Sequence, residues 1–387
     1  MSEELHPLRV GMIGANWGIV GHLPAWRNLP GVEVAAICTA HEDTARAAAD
    51  AHGIAHAYHD YRRMIDEAPV DIIDVGTRPM LRYDMVMHAL AAGKHVINAN
   101  PFAPDIAAAG AIRVAQQVAG VVGMVEAQFQ WLPQFRQMKA MIEGGALGDL
   151  IGVELRCHFP LIRDGEAIFP FVTRPGYTTN YNWLGMAGEG ASALRNLGGH
   201  CLHALIYLFG AVDSVSATLS RGVGEWRFDD GSRFAPETDD TAFTTLRFRQ
   251  GGTAQMNIGW SVAGARGFAI EAYGTNGRLR IEAPSGFPDA GNATLFQAPA
   301  GARADLGKPE QAVALPETLM QLRGVSIPAP AEARAMIPMT LMLDEMVTAV
   351  REGRECSPGF AQALQVQAIC EAAEESDRTG QRVAVAA

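Results

Sequence analysis

The stretch from Leu8 to Trp26 constrains the fold most, because it joins a short apolar run, a turn of mostly small residues and the start of a helix. Leu8 to Ile13 suits a strand that is buried on both faces, and Gly14 to Gly18 interrupts it. In such a unit the N–H groups at the helix start favour a phosphate, and small turn residues let the backbone approach it. The stretch therefore predicts a site for a dinucleotide pyrophosphate, with an ordinary strand-to-helix turn as the alternative.

The turn departs from the G-x-G-x-x-G pattern that is typical of dinucleotide sites. A register that starts at Gly14 has Asn16 and Ile19 where the pattern has glycines, and Gly18 lies one residue early. Asparagine tolerates a left-handed backbone better than most residues do. The organisation of the rest of the chain must decide between a nucleotide site and an ordinary turn.

Strand and helix patterns alternate from residue 8 to residue 125. The first strand is followed by helical segments and by four further predicted strands, while Tyr58 and Tyr61 flank a short connection. These strands are Val32 to Cys38, Asp71 to Val75, Lys94 to Ile97 and Val121 to Val125. Such alternation predicts a doubly wound parallel sheet, whose ligands bind at the carboxyl ends of the strands. Residues 1–127 are predicted to form this first domain.

The pattern changes at about residue 128, after which longer strands alternate and turn signals separate them. Ala269 to Tyr273 and Leu279 to Glu282 are predicted to pair as a hairpin. Residues 128–387 are thus predicted to form a second α/β domain with a large, mostly antiparallel open sheet, one face of which is covered by a helix from Ala191 to Phe209. Pro284 to Pro330 is interpreted as a surface excursion. Two closing helices in residues 335–376 are expected to pack back toward the first domain.

Composition restricts the partners of the chain. Its 387 residues suffice for two domains, and 48% apolar against 19% charged residues is typical of a globular protein. A net charge of −11 argues against nucleic acid or an anionic membrane as partner. No apolar run approaches the ~20 residues of a membrane span, and the first six residues are too short and acidic for a signal peptide, so a cytoplasmic location is expected.

The five cysteines are scattered and include no C-x-x-C pair. They are interpreted as reduced core thiols, and neither a disulfide framework nor a zinc site is expected. The residues in question are Cys38, Cys157, Cys201, Cys356 and Cys370.

Several segments together resemble the Gfo/Idh/MocA family of nicotinamide-dependent oxidoreductases. They are the Gly14 turn with His22-Leu23-Pro24-Ala25, the run from Ala89 to Val96 before Pro101, the helix end from Gly144 to Gly148, and Gly199-His200. The resemblance covers nearly the whole chain. It implies an N-terminal Rossmann domain, a C-terminal α/β domain with an open sheet, NAD or NADP as cofactor, a small-molecule substrate, and a homodimer or homotetramer.

The chain departs from the residues that the family uses in catalysis. Most members carry Glu-Lys-Pro where this sequence has Ala99-Asn100-Pro101, so the lysine is absent. In the later Asp-x-x-x-His-x-x-Asp helix, only His200 is retained, with Asn196 and His203 in the acidic positions. The stretch that is usually Thr-Pro-Asn followed by a histidine is Thr77-Arg78-Pro79, with Arg82 in the histidine place.

Catalysis is predicted to depend on His200. Hydride transfer from a carbinol requires a group that takes the hydroxyl proton, and histidine titrates near neutral pH; a structural histidine on an apolar helix is the alternative. Asn196 lies one turn earlier and can orient His200, and His203 shares that face and can replace the missing acid. Asn100 can orient substrate or cofactor, or it can cap its loop. Zinc at His200 and His203 is not expected, because no acid or cysteine lies at a complementary spacing.

Cofactor contacts are expected from the turn and from the residues that follow the later strands. These residues are Gly14, Asn16, Trp17, Gly18, Thr39, Thr77, Arg78, Asn100, Pro101 and Glu126. Thr39 occupies the place where an acid would bind a ribose 2′-hydroxyl, so neither NAD nor NADP is selected. Glu126 ends the last strand of the sheet and is expected to face the nicotinamide crevice, with a solvated strand end as the alternative.

Substrate contacts are expected from the second domain. Arg156 and His158 alternate onto one face of its first strand, and Tyr177, Tyr181 and Trp183 lie in the loop before the His200 helix. Aromatic rings and polar groups suit a polyol, a sugar or an aromatic ligand, although such rings are also common in packing at domain junctions.

Two functions of different classes remain open at this stage. One is an NAD(P)-dependent oxidoreductase that acts on a sugar-like or other hydroxylated small molecule, including a transient oxidation that enables elimination or bond cleavage. The other is a non-catalytic NAD(P)-binding sensor, since a regulatory branch of the family also lacks the Glu-Lys-Pro lysine.

Overall fold

The computed structural model describes residues 6–163, 166–167, 178–228, 231–284, 286–299, 310–327 and 336–386. Contacts divide the chain into two units. The first unit contains Met1–Glu126 and Met339–Leu364, and the second contains Ala127–Pro338 and Gln365–Ala387. Each unit is described below by itself.

Parallel strands form the sheet of the first unit. Its strands are β1 Leu8–Ile13, β2 Val32–Cys38, β3 His56–Tyr58, β4 Ile72–Val75, β5 His95–Asn98 and β6 Gly123–Val125. Their order is β3-β2-β1-β4-β5-β6, and each neighbouring pair is parallel. The predicted doubly wound parallel sheet is therefore confirmed. The prediction missed β3, which ends at Tyr58, directly before the expected short connection to Tyr61; three residues at a sheet edge give too short a pattern to detect.

Helices connect these strands and leave the central strands buried. They are α1 Leu23–Arg27, α2 Glu42–His52, α3 Tyr61–Glu67, α4 Pro79–Ala91 and α5 Ile106–Ala119. All four residues of β4 are buried, as expected for a parallel strand that is covered on both faces. One of these four is Asp74, and a buried carboxylate requires charged or hydrogen-bonding partners.

The strand order places a crevice at the carboxyl ends of β1 and β4. The chain adds β2 and β3 on one side of β1 and continues on the other side with β4, and ligands of open α/β sheets bind at such a switch point. Gly14, directly after β1, has φ +105°, and a Cβ atom at this position would lie 3.0 Å from the carbonyl oxygen of Gly76 after β4. Only glycine fits this backbone without strain.

A large mixed sheet dominates the second unit. The described strands of this unit are β7 Leu150–His158, β8 Ile162–Arg163, β9 Glu166–Ala167, β10 Val212–Ser220, β11 Trp226–Arg227, β12 Arg233–Phe234, β13 Thr241–Phe248, β14 Thr253–Gly259, β15 Gly267–Gly274, β16 Gly277–Ala283, β17 Thr294–Pro299, β18 Gln311–Ala312, β19 Gln321–Leu322, β20 Val325–Ser326 and β21 Val383–Ala384. The order of the large sheet is β18-β17-β16-β15-β7-β14-β13-β10-β21. Its β7–β14 pair is parallel and its other neighbours are antiparallel, which confirms the predicted mostly antiparallel sheet.

Helix α7 packs on one face of this sheet. The remaining helices are α6 Pro133–Glu143, α7 Gly199–Phe209, α8 Met336–Glu352 and α9 Phe360–Thr379. Cys201 of α7 hydrogen-bonds Cys157 of β7, and a Cβ atom at Gly198 would lie 3.6 Å from Ile258 of β14. Since side chains alternate along a strand, the neighbours of Cys157 in β7 belong to the opposite face.

One expectation about the second unit was wrong and another needs a refinement. The helix predicted from Ala191 to Phe209 is present, but it begins with a π-helical turn at Leu194–Gly198 that continues directly into α7. The predicted surface excursion after Pro284 contains β17 and β18, which extend the large sheet: β17 pairs with β16, and β18 pairs with β17. Proline, alanine and glycine around β17 conceal its alternation, whereas its pairing depends on a partner strand that is already in place.

The boundary between the two units falls within the closing helices. Residues 339–364 belong to the first unit, and α9 continues from Gln365 into the second. All five cysteines are buried and unbonded to one another by disulfides, which confirms their placement as core thiols. No helix among the described residues has the length and apolarity that crossing a bilayer requires.

Candidate active site

The structure brings the predicted cofactor residues of the first unit to one edge of its sheet. The turn residues follow β1, Thr39 follows β2, Thr77 and Arg78 follow β4, Asn100 and Pro101 follow β5, and Glu126 follows β6. Because all these strands are parallel, their carboxyl ends share an edge. This edge includes the crevice between β1 and β4.

The backbone of the turn has glycines at positions where a side chain would meet neighbouring atoms. Gly14 supplies the positive φ, and Arg323 is the one non-glycine residue with positive φ in the described part of the chain. Asn16 therefore does not use the left-handed conformation that its residue type would tolerate. Gly18 begins a π-helical turn, Gly18–His22, and a Cβ atom there would lie 3.0 Å from Met12 Cε.

A buried charge cluster lies below this turn; we define it as Trp17, His22, Trp26, Asp74 and Glu126. His22 has no exposed surface, and Asp74 and Glu126 are 2% and 4% exposed. His22 Nδ1 lies 2.9 Å from both carboxylate oxygens of Asp74, and Trp26 Nε1 donates to Asp74 at 2.7 Å. Buried carboxylates with such donors are hydrogen-bonded and compensated in charge.

Glu126 lies on the other side of the same imidazole. His22 Nε2 is 3.3 Å from Glu126 Oε2, a distance within ion-pair range whose alignment falls outside that of a hydrogen bond. Trp17 Nε1 donates to Glu126 Oε1 at 3.0 Å. The alternative of a solvated strand end is therefore wrong for Glu126, whose carboxylate is buried and bound within the cluster.

The two carboxylates stabilise the charged form of His22. Burial alone would favour the neutral imidazole, but Asp74 and then Glu126 outweigh it and raise the pKa of His22 well above its usual value. The surroundings of His22 therefore favour an imidazolium between the two carboxylates.

Arg82 is a second buried cation at this edge. It is 2% exposed and donates to the backbone carbonyl oxygens of Thr77 and Pro101. Burial lowers the pKa of Arg82 to about 9, and Glu126 acts in the opposite direction. The arginine in the histidine place of the family thus holds together two of the loops that follow β4 and β5.

Thr39, Asn100 and Arg78 differ in their exposure. The Thr39 hydroxyl lies 2.6 Å from that of Thr44 and donates to the carbonyl oxygen of His41. Asn100 is 8% exposed, whereas Arg78 is exposed at the start of α4. No acidic side chain occupies the position of Thr39. The structure, like the sequence, therefore selects neither NAD nor NADP.

In the second unit, His200 is half-buried in the first turn of α7. Its ring stands 5.4 Å from that of Phe129 at an angle of 35°, and Phe129 also contacts Phe268 of β15 at 5.8 Å. These contacts fix the imidazole beside an apolar wall while part of it stays accessible.

His203, one turn later on α7, has a different environment. It is fully buried, and burial together with His200 lowers its pKa to about 3. The imidazole of His203 is therefore neutral near pH 7, which favours a hydrogen-bonding role for it over the role of a proton donor.

Asn196 belongs to the π-helical turn that precedes α7. It is half-buried, like His200, and its carbonyl oxygen accepts from the N–H of Gly199. The neighbouring Arg195 donates two hydrogen bonds to Glu374 of α9, at 2.6 and 2.7 Å. This ion pair attaches the π-helical turn, which contains Asn196, to helix α9.

The structure separates Arg156 and His158 from α7. Both lie on the face of β7 opposite Cys157, whereas α7 covers the Cys157 face. Burial, together with Arg156, lowers the pKa of His158. Among the described residues, Arg156 Nε and His158 Nε2 are buried polar atoms that have no hydrogen-bond partner. A substrate contact from this pair would therefore not share the α7 side of the sheet.

The predicted aromatic residues lie in a helical segment before the π-helical turn. The rings of Tyr181 and Trp183 are 6.4 Å apart, and both residues are half-buried. Thr238 donates to the carbonyl oxygen of Leu184 at 2.9 Å and fixes the end of this segment. Tyr177 lies outside the described residues. No group of three or more histidine, cysteine or acidic side chains within metal-binding reach occurs in the described ranges.

Sequence reasoning missed His22, Trp26 and Asp74 as parts of the site. One signal was available, because Asp74 is a charged residue in the strand Ile72-Ile73-Asp74-Val75, which reads as buried on both faces. A charge in such a strand requires partners, and a histidine and a tryptophan follow the turn of the neighbouring strand. The partners themselves cannot be assigned before the strand order is known.

Comparison with known proteins gives two family matches. A model described as "oxidoreductase family, NAD-binding Rossmann fold" matches residues 8–127. A model described as "GFO/IDH/MocA C-terminal domain" matches residues 135–280. Together these matches cover the parallel sheet and most of the large mixed sheet.

Individual relatives include sugar dehydrogenases. D-apiose dehydrogenase of Paraburkholderia graminis is 29% identical over 278 residues, which are 70% of this chain and 67% of the relative. Levoglucosan dehydrogenase of Pseudarthrobacter phenanthrenivorans is 24% identical over 295 residues, 70% of this chain and 73% of the relative. A solved levoglucosan dehydrogenase, in complex with NADH and L-sorbose, superposes with a TM-score of 0.84 at 24% identity and covers 98% of this chain and 99% of that one. The last comparison supports the fold.

Proposed function

The chain belongs to the Gfo/Idh/MocA family of NAD-binding oxidoreductases, and we propose that it transfers a hydride between NAD(P) and a hydroxyl-bearing carbon of a sugar or related polyol. The observation that carries the proposal is the turn after β1 of the Rossmann sheet, where Gly14 has a positive φ and no room for a Cβ atom; in the second unit, the half-exposed His200 on α7 supplies a candidate acid/base. The sugar dehydrogenases among the relatives support this substrate class.

The first unit is proposed to hold the cofactor, which supplies the hydride acceptor or donor when bound. The backbone at Gly14 to Gly18 would receive the pyrophosphate, and Thr39 would lie toward the adenosine ribose. Thr77, Arg78, Asn100 and Pro101 follow β4 and β5 and would contact the nicotinamide half. The buried carboxylate of Glu126 contributes through the groups it binds.

His200 is proposed as the acid/base that takes the substrate hydroxyl proton or returns it. Phe129 fixes its ring at 5.4 Å, so the imidazole is oriented before the substrate binds. Asn100 stands in the place of the family lysine but cannot exchange a proton, so it is proposed to hydrogen-bond the substrate or the cofactor carboxamide. Asn196 is proposed to orient His200, and the neutral His203 to support the same imidazole by hydrogen bonding.

The test combines cofactor binding with turnover. Purified protein is titrated with NADH and NADPH, and then incubated with aldoses, alditols, anhydro sugars and glycosides while absorbance near 340 nm and product mass are followed. His200→Ala is expected to lower kcat about 10²- to 10⁴-fold, as is typical for loss of a general acid/base, with NADH affinity within about twofold. His59→Ala, a change at an exposed histidine of the first unit, should alter neither quantity.

Other outcomes discriminate the remaining functions. A product of altered mass without a net change at 340 nm would indicate a transient oxidation that enables elimination or cleavage. Tight dinucleotide binding with no turnover of any compound would favour a non-catalytic sensor. If neither NADH nor NADPH binds, the proposed function is wrong.

A further inference from the structure

We propose that His22 is a positioning residue of the cofactor site: it bridges Asp74 and Glu126 below the turn, and thereby holds the Trp17 indole in place beside the dinucleotide. This inference rests on the proposed function, because it assigns the dinucleotide to the Gly14 turn. It adds a role for a buried charge cluster that hydride transfer itself does not use.

The first step of the argument is the anchoring of His22 in the core. Asp74 lies in the fully buried strand β4, so its carboxylate cannot move without disturbing the sheet. This carboxylate faces His22 Nδ1 at 2.9 Å and also accepts from Trp26 Nε1 at 2.7 Å. The imidazole therefore has a fixed plane, and its Nε2 lies 3.3 Å from Glu126 Oε2.

The second step concerns charge. A neutral imidazole has one N–H, so either Asp74 or Glu126 would face a ring nitrogen lone pair at short range. The imidazolium presents an N–H toward each carboxylate. Because both carboxylates are almost fully buried, His22 is the residue that compensates their charge on the turn side, while Arg82 faces Glu126 from α4.

The third step connects Glu126 to the turn. Trp17 precedes the π-helical turn and donates its indole N–H to Glu126 at 3.0 Å. The ring lies so close over Gly21 that a Cβ atom there would be 2.7 Å from the indole, and it meets the ring of His22 edge-on at 6.3 Å. Trp17 is half-buried and follows Asn16 directly, so the position of its ring shapes one wall of the turn.

These contacts predict that cofactor affinity depends on the protonation of His22. The charged groups that face His22 are Asp74 from β4 and Glu126 after β6. When the imidazolium loses its proton, the pairing with Glu126 is lost and the Trp17 indole loses its fixed acceptor. NADH is therefore expected to bind best at pH values below the raised pKa of His22, and to bind more weakly as the pH rises through it.

The experiment compares four variants of the full chain by NADH titration. His22→Asn retains an N–H donor for Asp74 but has no atom in the place of Nε2 and no positive charge, so it removes the bridge to Glu126 together with the cation. Trp17→Phe keeps a ring over Gly21 without the indole N–H. Each is expected to raise the NADH Kd about tenfold, and the double variant no further, because both break one chain of contacts. Ile65→Ala, in the buried face of α3, is the control that lowers stability without touching the cluster.

A second measurement does not depend on the cofactor. In the ¹⁵N-labelled protein, the indole signal that is absent from Trp17→Phe identifies Trp17. As the pH is raised, the chemical shift of this indole signal should change in the wild type, with a midpoint above the ordinary histidine pKa of about 6.5. In His22→Asn the chemical shift should not change over the same pH range.

The outcomes separate the inference from the function on which it rests. Tenfold weaker binding in both cluster variants with unchanged binding in Ile65→Ala supports it, as does a titrating Trp17 signal that His22→Asn abolishes. It is overturned if His22→Asn has a lower Tm but binds NADH as the wild type does, or if the two cluster effects add. If the wild type binds no dinucleotide, the proposed function fails first and the inference fails with it.

Discussion

His22 in the first unit and His203 in the second are both completely buried, yet their protonation equilibria are displaced in opposite directions. Two carboxylates face His22, and its pKa lies well above the usual value in spite of burial. His203 has burial and the neighbouring His200 as its influences, and its pKa falls to about 3. The difference shows that burial alone does not decide the charge of a histidine; the carboxylates that the fold brings to it do.

Two arginines, the buried Arg82 and the half-buried Arg195, show the same contrast, but here the lowered pKa is in the first unit and the raised pKa in the second. Arg82 of the first unit binds backbone carbonyl oxygens, and burial lowers its pKa to about 9. Arg195 of the second unit binds the carboxylate of Glu374 with two nitrogens, and this raises its pKa further above the usual value although burial opposes it. Both units therefore supply an example of a cation that a carboxylate stabilises, His22 or Arg195, and of a basic group that burial weakens, Arg82 or His203.

The strongest test of this comparison replaces each histidine by leucine. His22→Leu leaves Asp74 and Glu126 buried without their cation, so it is expected to lower the free energy of unfolding by about 3–5 kcal/mol. His203→Leu removes a neutral ring of similar volume and should cost no more than about 1–2 kcal/mol. Urea unfolding at pH 7 measures both values, and equal losses would contradict the assignment of an imidazolium to His22.

Sequence patterns predicted most of the fold because buried positions carry apolar residues at a regular spacing along strands and helices. β4 and β1 are almost entirely apolar, as strands covered on both faces are, and the alternation in β7, β13 and β15 identifies the mixed sheet. The failures were β3 and β17 with β18, whose hydrogen bonds depend on a neighbouring strand more than on their own pattern. The π-helical turn before α7 was also missed, since one inserted residue hardly alters the apolar period.

The shared carboxyl edge of the parallel sheet could be predicted from the sequence, whereas the charge cluster could not. Parallel strands bring their carboxyl ends together, so Gly14, Thr77 and Asn100 could be grouped without coordinates. His22 and Asp74 lie 52 residues apart, and their contact depends on β1 and β4 being neighbours in the sheet. A sequence shows that Asp74 is a charge in an apolar strand; it does not show which base compensates it.

The second prediction uses pH and has an opposite sign for each histidine. For His22, the native state keeps its proton above pH 6.5 while the unfolded chain loses it, so rising pH should lower the unfolding free energy by up to about 1.4 kcal/mol per unit until the raised pKa is passed. For His203, the unfolded chain binds a proton below pH 6.5, whereas the native state does not bind it until about pH 3. Falling pH should therefore lower the free energy of unfolding.

The measurement is the difference between each variant and the wild type, because other groups titrate as well. Unfolding curves between pH 5 and 9 should show that His22→Asn lacks part of the alkaline loss, and that His203→Leu lacks part of the acid loss. The same slope in His22→Asn and in the wild type above pH 7 would show that His22 is neutral in the native state.

The smallest expected effect concerns the ion pair of the second unit. Arg195 is 12% exposed but Glu374 is 36% exposed, so solvent can accommodate the carboxylate when its partner is lost. Arg195→Met should therefore cost only about 1 kcal/mol, and Arg195→Met with Glu374→Gln no more than the single change, since the remaining charge is then removed. Arg82→Met provides the contrast, because it leaves two carbonyl oxygens without their buried donor and should cost about 1–3 kcal/mol. A larger loss of unfolding free energy in Arg195→Met than in Arg82→Met would show that the exposure of Glu374 does not limit the strength of the Arg195–Glu374 pair.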